Sequence, residues 1–352
     1  MPLGDAPLVN PSLVNAVATI SPERAAALAR RHFGVSSVAQ TLRGERDENF
    51  LIRSESAAFV LKIANPAEDR SVTDFHTKAL VHVASADATI PVPRLAPAVD
   101  GRFEAEIVGP DGQARVMRLL TFLSGTMAAR TPQRSAYRLA LGEMTARFDC
   151  ALRDFTHPAA GHDLSWDLKH TPRLRNLLSG VRSLEARADI ERALDRFAEF
   201  VAPALPDLRA QVIHNDLNPY NVLVGEADFA MIVGLLDFGD MVRAPLVNEV
   251  AIAAAYHVSP GADPLAPILE IVGAYNTITP LTAWECDLIF DLIATRLAMT
   301  VLITEWRASR YPENSAYIMK NHPAAAAGLK RLGGVSPDQA QDRLRRRCGV
   351  EA

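Results

Sequence analysis

The chain is short of cysteine, of lysine and of uninterrupted apolar runs, and each shortage removes a class of explanation. Its three cysteines, Cys150, Cys286 and Cys348, lie far apart and form neither a metal-ligand spacing nor a disulfide framework, which suits a reducing compartment. A net charge of −4 supplies no field that would draw in nucleic acid or an anionic membrane. The most apolar long stretch, Leu281 to Ala308, is broken by Glu285, Asp287, Asp291, Arg296 and Glu305, so it reads as a buried helix of a soluble domain and not as a membrane span. Met1 to Ile20 lacks a basic start followed by a long apolar core, so it does not read as a secretory leader, and the cytoplasm is the expected location. A G-x-G-x-x-G turn is also missing. Thr41 to Phe50 holds one glycine, Gly44, and the hairpin expected at Asp47 to Phe50 must meet any phosphate with other donors.

Against that background two short segments stand out. Ile213-His214-Asn215-Asp216-Leu217-Asn218-Pro219-Tyr220-Asn221 is followed by Leu235-Leu236-Asp237-Phe238-Gly239-Asp240. Phosphoryl transfer needs one carboxylate to receive or orient the proton of the attacking hydroxyl, and an Asn with a second Asp to hold magnesium against the phosphates. Asp216 and Asn221 have the spacing of that template. Gly225-Glu226-Ala227-Asp228 predicts a hairpin turn between the apolar runs 222–224 and 229–236, so the returning strand delivers Asp237 beside Asn221. Two carboxylates and an amide at one point are costly alone and favourable around Mg²⁺, which takes oxygen ligands. Either segment by itself is an ordinary polar turn or strand end; the two in this order point to phosphoryl transfer.

Only five of the 37 basic residues are lysines, and one of them interrupts an apolar strand-like run, Phe59-Val60-Leu61-Lys62-Ile63. This is the pattern of the strand that carries a phosphate-binding lysine. A solvated lysine on an edge strand is the bland alternative.

The remaining punctuation divides the chain into a small mixed part and a larger helical one. Ser21-Pro22-Glu23 predicts a helix ending at Gly34. Strands are expected near 35–42, 50–53 and 57–63, a helix over 68–85, and a hairpin of 103–108 with 113–122 around Gly109-Pro110-Asp111-Gly112. The chain then runs through Leu123-Ser124-Gly125 into helical patterning from Pro132, with Leu139, Gly142, Thr145 and Phe148 on one buried face. Thr282 and Glu285 form a capping box, a helix is expected over 248–257, and Ser336-Pro337-Asp338 opens a terminal helix whose Arg343 to Arg347 cluster reads as a solvated face. The expected architecture is a two-lobed, protein-kinase-like α+β fold. A nucleotide-binding lobe with a small antiparallel sheet covers 1–122, and a mainly helical catalytic and acceptor-binding lobe covers 123–352.

Taken together, Asp47-Glu48-Asn49-Phe50, the hinge-like 116–125, Trp166-Asp167-Leu168-Lys169, the two catalytic segments, 278–283 and Tyr311-Pro312-Glu313-Asn314 resemble the aminoglycoside phosphotransferase and choline kinase superfamily, most narrowly its hydroxylysine kinases. The resemblance covers most of the chain. It implies Asp216 as catalytic base or hydroxyl-orienting group and Asn221 and Asp237 as magnesium ligands. It also implies Lys62, Asn49 and the backbone at Leu120 and Phe122 as nucleotide contacts, with His214 organising the loop. GTP or ATP is the implied phosphoryl donor, and a small-molecule amine or amino acid, 5-hydroxy-L-lysine in the narrowest reading, the acceptor.

One departure and several open points accompany this. Where such kinases place a Glu opposite the lysine, this chain has His76; Glu68, Asp69 or Asp74 would have to orient Lys62. An acceptor ammonium calls for a carboxylate or aromatic face, for which Asp240, Glu249 and Trp166 are candidates, and an acceptor carboxylate for Arg296 or Arg243. An antibiotic kinase or a nucleotide-binding module without turnover are the alternatives.

Overall fold

The computed structural model describes residues 19–42, 44, 46–181 and 183–350. Most of the Met1 to Ile20 segment, and Arg43 and Glu45 of the expected phosphate loop, lie outside the described residues.

Helix α1 (Pro22–Phe33) begins where Ser21 Oγ accepts the Arg24 N–H and ends at Gly34, whose φ of 70° suits a residue without Cβ. Its buried face, Ala25, Ala29 and Phe33, packs on Phe50, Ile52, Leu61 and Ile63 of the first sheet. That sheet is antiparallel throughout: β1 (Val38–Leu42), β2 (Glu48–Arg53), β3 (Ala58–Ile63), β4 (Leu95–Ala96), β5 (Ala105–Val108) and β6 (Ala114–Thr121), in the order β1-β2-β3-β6-β4, with β5 also paired to β6. Its register sets Lys62 directly across from Asn49 on one side and Arg118 on the other. Because alternate residues share a face, three polar side chains from three strands stand in a row. Helix α2 (Arg70–Ala86), capped by Asp69, sends Phe75, Ala79, Leu80 and Val83 into the larger core shared with the second half of the chain.

After Thr121 the chain leaves the sheet through Gly125, where a Cβ would press on Val233 and the Val224 carbonyl. The second lobe is built from α3 (Ser135–Leu152), α4 (Leu184–Arg196), α5 (Val247–Ala255), α6 (Ala266–Ile278), α7 (Ala283–Arg310), α8 (Ser315–Ile318), α9 (His322–Leu332) and α10 (Pro337–Cys348). Two small sheets lie among them. β7 (Thr126–Met127), β9 (Val222–Val224) and β10 (Ile232–Leu235) form one, and β8 (Ala210–Ile213) pairs with β11 (Val242–Pro245). The fold is thus the expected α+β, two-lobed one. α3 crosses α6 at Gly142, where any side chain would collide with the Ile271 backbone. Leu139 is only half-buried; Leu141 takes the core position on that face. The strand expected over 229–236 is confined to Ile232–Leu235, with Phe229 exposed.

Helix α7 explains itself by its charges. Its start carries both capping-box bonds, Glu285 N–H to Thr282 Oγ1 at 3.1 Å and Thr282 N–H to Glu285 Oε2 at 2.8 Å. The charges that break its apolar run are each paired with a different element: Glu285 with Arg209, Asp287 with Arg345, Asp291 with Arg196, Arg296 with Asp216 and Glu305 with His322. A buried charge is tolerated when it is paired and hydrogen-bonded, so these pairs fix how the helix is oriented within the lobe. None of the described helices is long and apolar enough to cross a membrane. The arginines of α10 are the expected solvated face only in part: Arg346 and Arg347 are exposed, whereas Arg343 and Arg345 are half-buried and bind Asp263 and Asp287.

Candidate active site

The turn between β8 and β9 carries His214 to Asn221, and its shape is fixed from beneath. His214 is buried; its Nδ1 accepts the Asp216 N–H at 3.3 Å, so its Nε2 is the nitrogen that donates to the Leu236 carbonyl at 2.9 Å. Burial pushes its pKa down to about 4, which keeps the ring neutral and structural between Phe148 and Phe238. Asn215 takes a left-handed φ of 65°, which Asn tolerates better than most residues, and donates its N–H to Glu249 Oε2 at 3.1 Å. Glu249, considered above as an acceptor contact, is fully buried on α5 beneath this turn and supports the loop backbone. Burial raises its pKa to about 7.

Asp216 projects from this support into three polar partners. Arg296 Nη2 lies 2.6 Å from Oδ1, and the side-chain amides of Asn218 and Asn221 lie 2.9 and 2.7 Å from Oδ2. Burial pushes the carboxyl up to about 6; Arg296 opposes the rise and Asp240 and Asp237 add to it. Arg296 itself is 2% exposed, bonded also to the Tyr256 hydroxyl and the Trp166 carbonyl, and stacked 5.1 Å from the Trp166 ring centre. Its charge is therefore committed to Asp216 and not open to an acceptor carboxylate, contrary to one expectation above. Arg243, the other candidate, is exposed on β11 and donates to Ala210 O.

Asn221 spends its amide nitrogen on Asp216, on both the side chain and the carbonyl at 2.9 Å, which turns its amide oxygen away as the atom fit for a metal. The Leu236 N–H donates to Asn221 O at 2.8 Å, tying the second motif to the first. Asp237 follows with φ 62°, a backbone state that costs a non-glycine residue energy and here aims the carboxylate. Burial would raise its pKa, but Lys62, Arg46 and Lys320 together hold it below the usual carboxylate range. Among the described residues there is no cluster of three or more His, Cys, Asp or Glu that would hold a metal alone. Magnesium typically keeps several waters and uses one or two protein carboxylates plus phosphate oxygens, so one ionised Asp and one amide oxygen fit a cation that arrives with a nucleotide.

From the first lobe, Lys62 Nζ lies 3.1 Å from Asp47 Oδ2. The partner of this lysine comes from the β1–β2 hairpin and not from α2. Asp69 caps α2, and Asp74 binds Lys78 and His157. His76 stays neutral, because burial and the neighbouring Arg118 and Lys62 hold its pKa well below the ordinary range. Asp47 remains ionised: burial works against it, and Lys62, Arg118 and Arg46 outweigh that. Neighbouring Arg46 reaches the other lobe, where it pairs with Asp240 and donates to the Gly239 carbonyl at 3.4 Å. Asn49, opposite Lys62, donates to Asp47 O at 3.2 Å. Near the hinge Leu120 is buried, and the N–H groups of Thr121 and Phe122 are spent on Arg94 O and Ala58 O. Two of the backbone donors expected to meet a base there are thus taken by the sheet.

The structure brings Asp216, Asn218, Asp237, Asp240 and Trp166 to one recess, whose remaining lining comes from Tyr256 at the end of α5, from α7, and from α8 with its turn into α9. Sequence reasoning missed Asp47, Arg46, Asn218 and Lys320. Asp47 and Arg46 stood in the segment already singled out; the ammonium of Lys320 had no local signal.

Removing Asp47 tests the Lys62 contact. Asp47→Ala is expected to lower kcat/KM for nucleotide roughly 10- to 100-fold, since an oriented lysine is part of phosphate positioning. Adding His76→Glu should recover a good part of it, because Lys62 lies near enough to His76 to help depress its pKa. Steady-state kinetics of both variants decides this. An Asp47→Ala enzyme with wild-type nucleotide KM and kcat would mean that Lys62 needs no partner.

A model of a family described as "phosphotransferase enzyme family" matches residues 38–284. The chain is 29% identical over 234 residues to hydroxylysine kinase of Mus musculus, covering 64% of this chain and 61% of that protein, so the match spans under two thirds of the mouse relative. To hydroxylysine kinase of Xenopus laevis it is 27% identical over 343 residues, covering 91% of each. Among solved structures, a microcompartment-associated aminopropanol kinase superposes with a TM-score of 0.66 at 20% identity, covering 85% of this chain and 93% of that one.

Proposed function

The chain belongs to the phosphotransferase enzyme family, and from that premise we propose that it transfers the terminal phosphoryl group of ATP or GTP to a hydroxyl of an amino alcohol or hydroxy amino acid. The observation that carries this reading is the anchoring of Asp216: a carboxylate gripped by Arg296, Asn218 and Asn221 beside an ionised Asp237. The relatives named above, which act on hydroxylysine, support the acceptor class.

In this reading the acceptor hydroxyl lies against the Asp216 carboxylate, which orients it and takes its proton as the oxygen attacks phosphorus. Lys62, held by Asp47, aligns the phosphates, with Asn49 and the hinge after Leu120 and Phe122 on the nucleotide side. Asn221 and Asp237 would hold Mg²⁺, which supplies charge neutralisation at the transferring group. The two lobes divide near Phe122, and the cleft between them holds the nucleotide. A polycationic antibiotic suits the recess less well, because Asp240 is already paired with Arg46 and cations supply much of the remaining lining.

The test is a panel of 5-hydroxylysine, homoserine, ethanolamine, choline and an aminoglycoside, each with ATP and GTP and with or without Mg²⁺. Metal-dependent phosphorylation of a small hydroxy amino compound is expected. Turnover of none of them at high enzyme concentration would overturn the reading.

A further inference from the structure

The recess beside Asp216 has its charges sorted by sign. Asp216, Asp237 and Asp240 come from the two catalytic segments, whereas Arg296 and Arg307 come from α7 and Lys320 from the turn between α8 and α9. Arg296 is committed to Asp216. Lys320 is placed differently. Its Nζ lies 4.4 Å from the Tyr317 ring centre and 5.3 Å from that of Tyr220, with the Tyr317 hydroxyl at 3.4 Å. Among the described residues no carboxylate forms an ion pair with it. A half-buried ammonium held between two ring faces has already lost much of the rotamer freedom that a lysine ordinarily gives up on binding. It is a fixed cation with room for an anion.

Two anions are brought to this site by the reaction, the nucleotide phosphates and, for some acceptors, a carboxylate. The phosphates have their own cations in Lys62 and Arg46, which approach Asp237 from the first lobe. Lys320 approaches from the second lobe, in company with Trp166, Thr300 and Ile318. A plain amino alcohol would bring only positive charge to a wall that carries Arg296, Arg307 and Lys320. A zwitterion meets both signs.

Resting on the kinase reading above, we propose that Lys320 selects the acceptor: it binds the carboxylate of a hydroxy-α-amino acid whose hydroxyl lies at Asp216, so amino acids and not simple amino alcohols are the substrates.

The experiment compares two acids with the amines formed by removing their carboxyl groups: 5-hydroxylysine with 1,5-diaminopentan-2-ol, and homoserine with 3-aminopropan-1-ol. The wild-type enzyme should favour at least one acid over its amine. In Lys320→Met, whose thioether chain still fills the space between the tyrosine rings, KM for that acid should rise roughly 10- to 100-fold, the worth of one charged hydrogen-bonded contact. KM for the amine should change far less than KM for the acid, and Lys320→Arg should recover most of the loss. Equal wild-type kcat/KM for acid and amine would overturn the proposal. So would a Lys320→Met enzyme that loses kcat or nucleotide affinity equally with both acceptors, which would assign Lys320 to the phosphates. Turnover of ethanolamine or choline but of none of these four compounds would overturn the proposal too, whereas turnover of none of the whole panel would instead sink the kinase reading beneath it.

Discussion

Replacing Asp216 by asparagine is expected to lower kcat roughly 1,000-fold, within the span that a positioned acid or base contributes, while Mg²⁺-dependent nucleotide binding persists. The reason is local. The carboxylate accepts from Arg296 at one oxygen and from two side-chain amides at the other, all of them donors. An asparagine has a single acceptor oxygen, so its own NH₂ must face either the guanidinium or the amides, and at least one buried donor loses its acceptor at a cost of about 1–3 kcal/mol. A modest fall in melting temperature should therefore accompany the loss of turnover. Calorimetry with a non-hydrolysable nucleotide and Mg²⁺ separates this from unfolding. Activity within tenfold of wild type would show that the proton goes elsewhere.

The second large effect belongs to a residue that need not touch substrate. Arg296→Met should lower kcat/KM for the acceptor about 100-fold near neutral pH, through Asp216. Arg296 opposes the burial that raises the Asp216 pKa to about 6, so without it the carboxyl stays protonated to higher pH, and the acid limb of the rate profile moves up. Stability should follow the same sign. A carboxyl whose folded pKa lies above its unfolded value stabilises the fold fully only below the unfolded value, and that contribution is lost as pH rises through the folded one. The variant's melting temperature should thus fall further behind wild type at pH 8 than at pH 5. Arg296→Lys keeps the charge and should restore part of the activity, although one ammonium cannot reproduce contacts to Asp216, Tyr256 and Trp166 together. An unmoved acid limb in Arg296→Met would reduce Arg296 to a packing residue.

What the sequence revealed and what it hid follow one physical division. Asp216, Asn221 and Asp237 are positioned by one turn and one hairpin, so their relation is written in short-range spacing. Helix α1 and the start of α7 were legible for the same reason, because Ser21, Gly34, Thr282 and Glu285 act on backbone groups within a few residues. The partner of Lys62 was not legible, since it depends on how the β1–β2 hairpin folds over β3. Glu249 was misread for a related reason. Its sequence neighbourhood shows a carboxylate near the catalytic motifs but not that the helix turns it beneath the loop. Arg343 and Arg345 looked solvated because Asp263 and Asp287 lie 80 and 58 residues away along the chain.

The long reach of α7 bears on what counts as the catalytic unit. Lys62 and both catalytic segments lie before the point where the family match ends, at residue 284, yet the guanidinium that grips Asp216 arrives only at residue 296. A fragment trimmed to the matched segment would keep Lys62 and both catalytic segments and lose the anchor of their central carboxylate. During synthesis the same order applies: these segments are made first, and their geometry waits for a helix that has not yet left the ribosome.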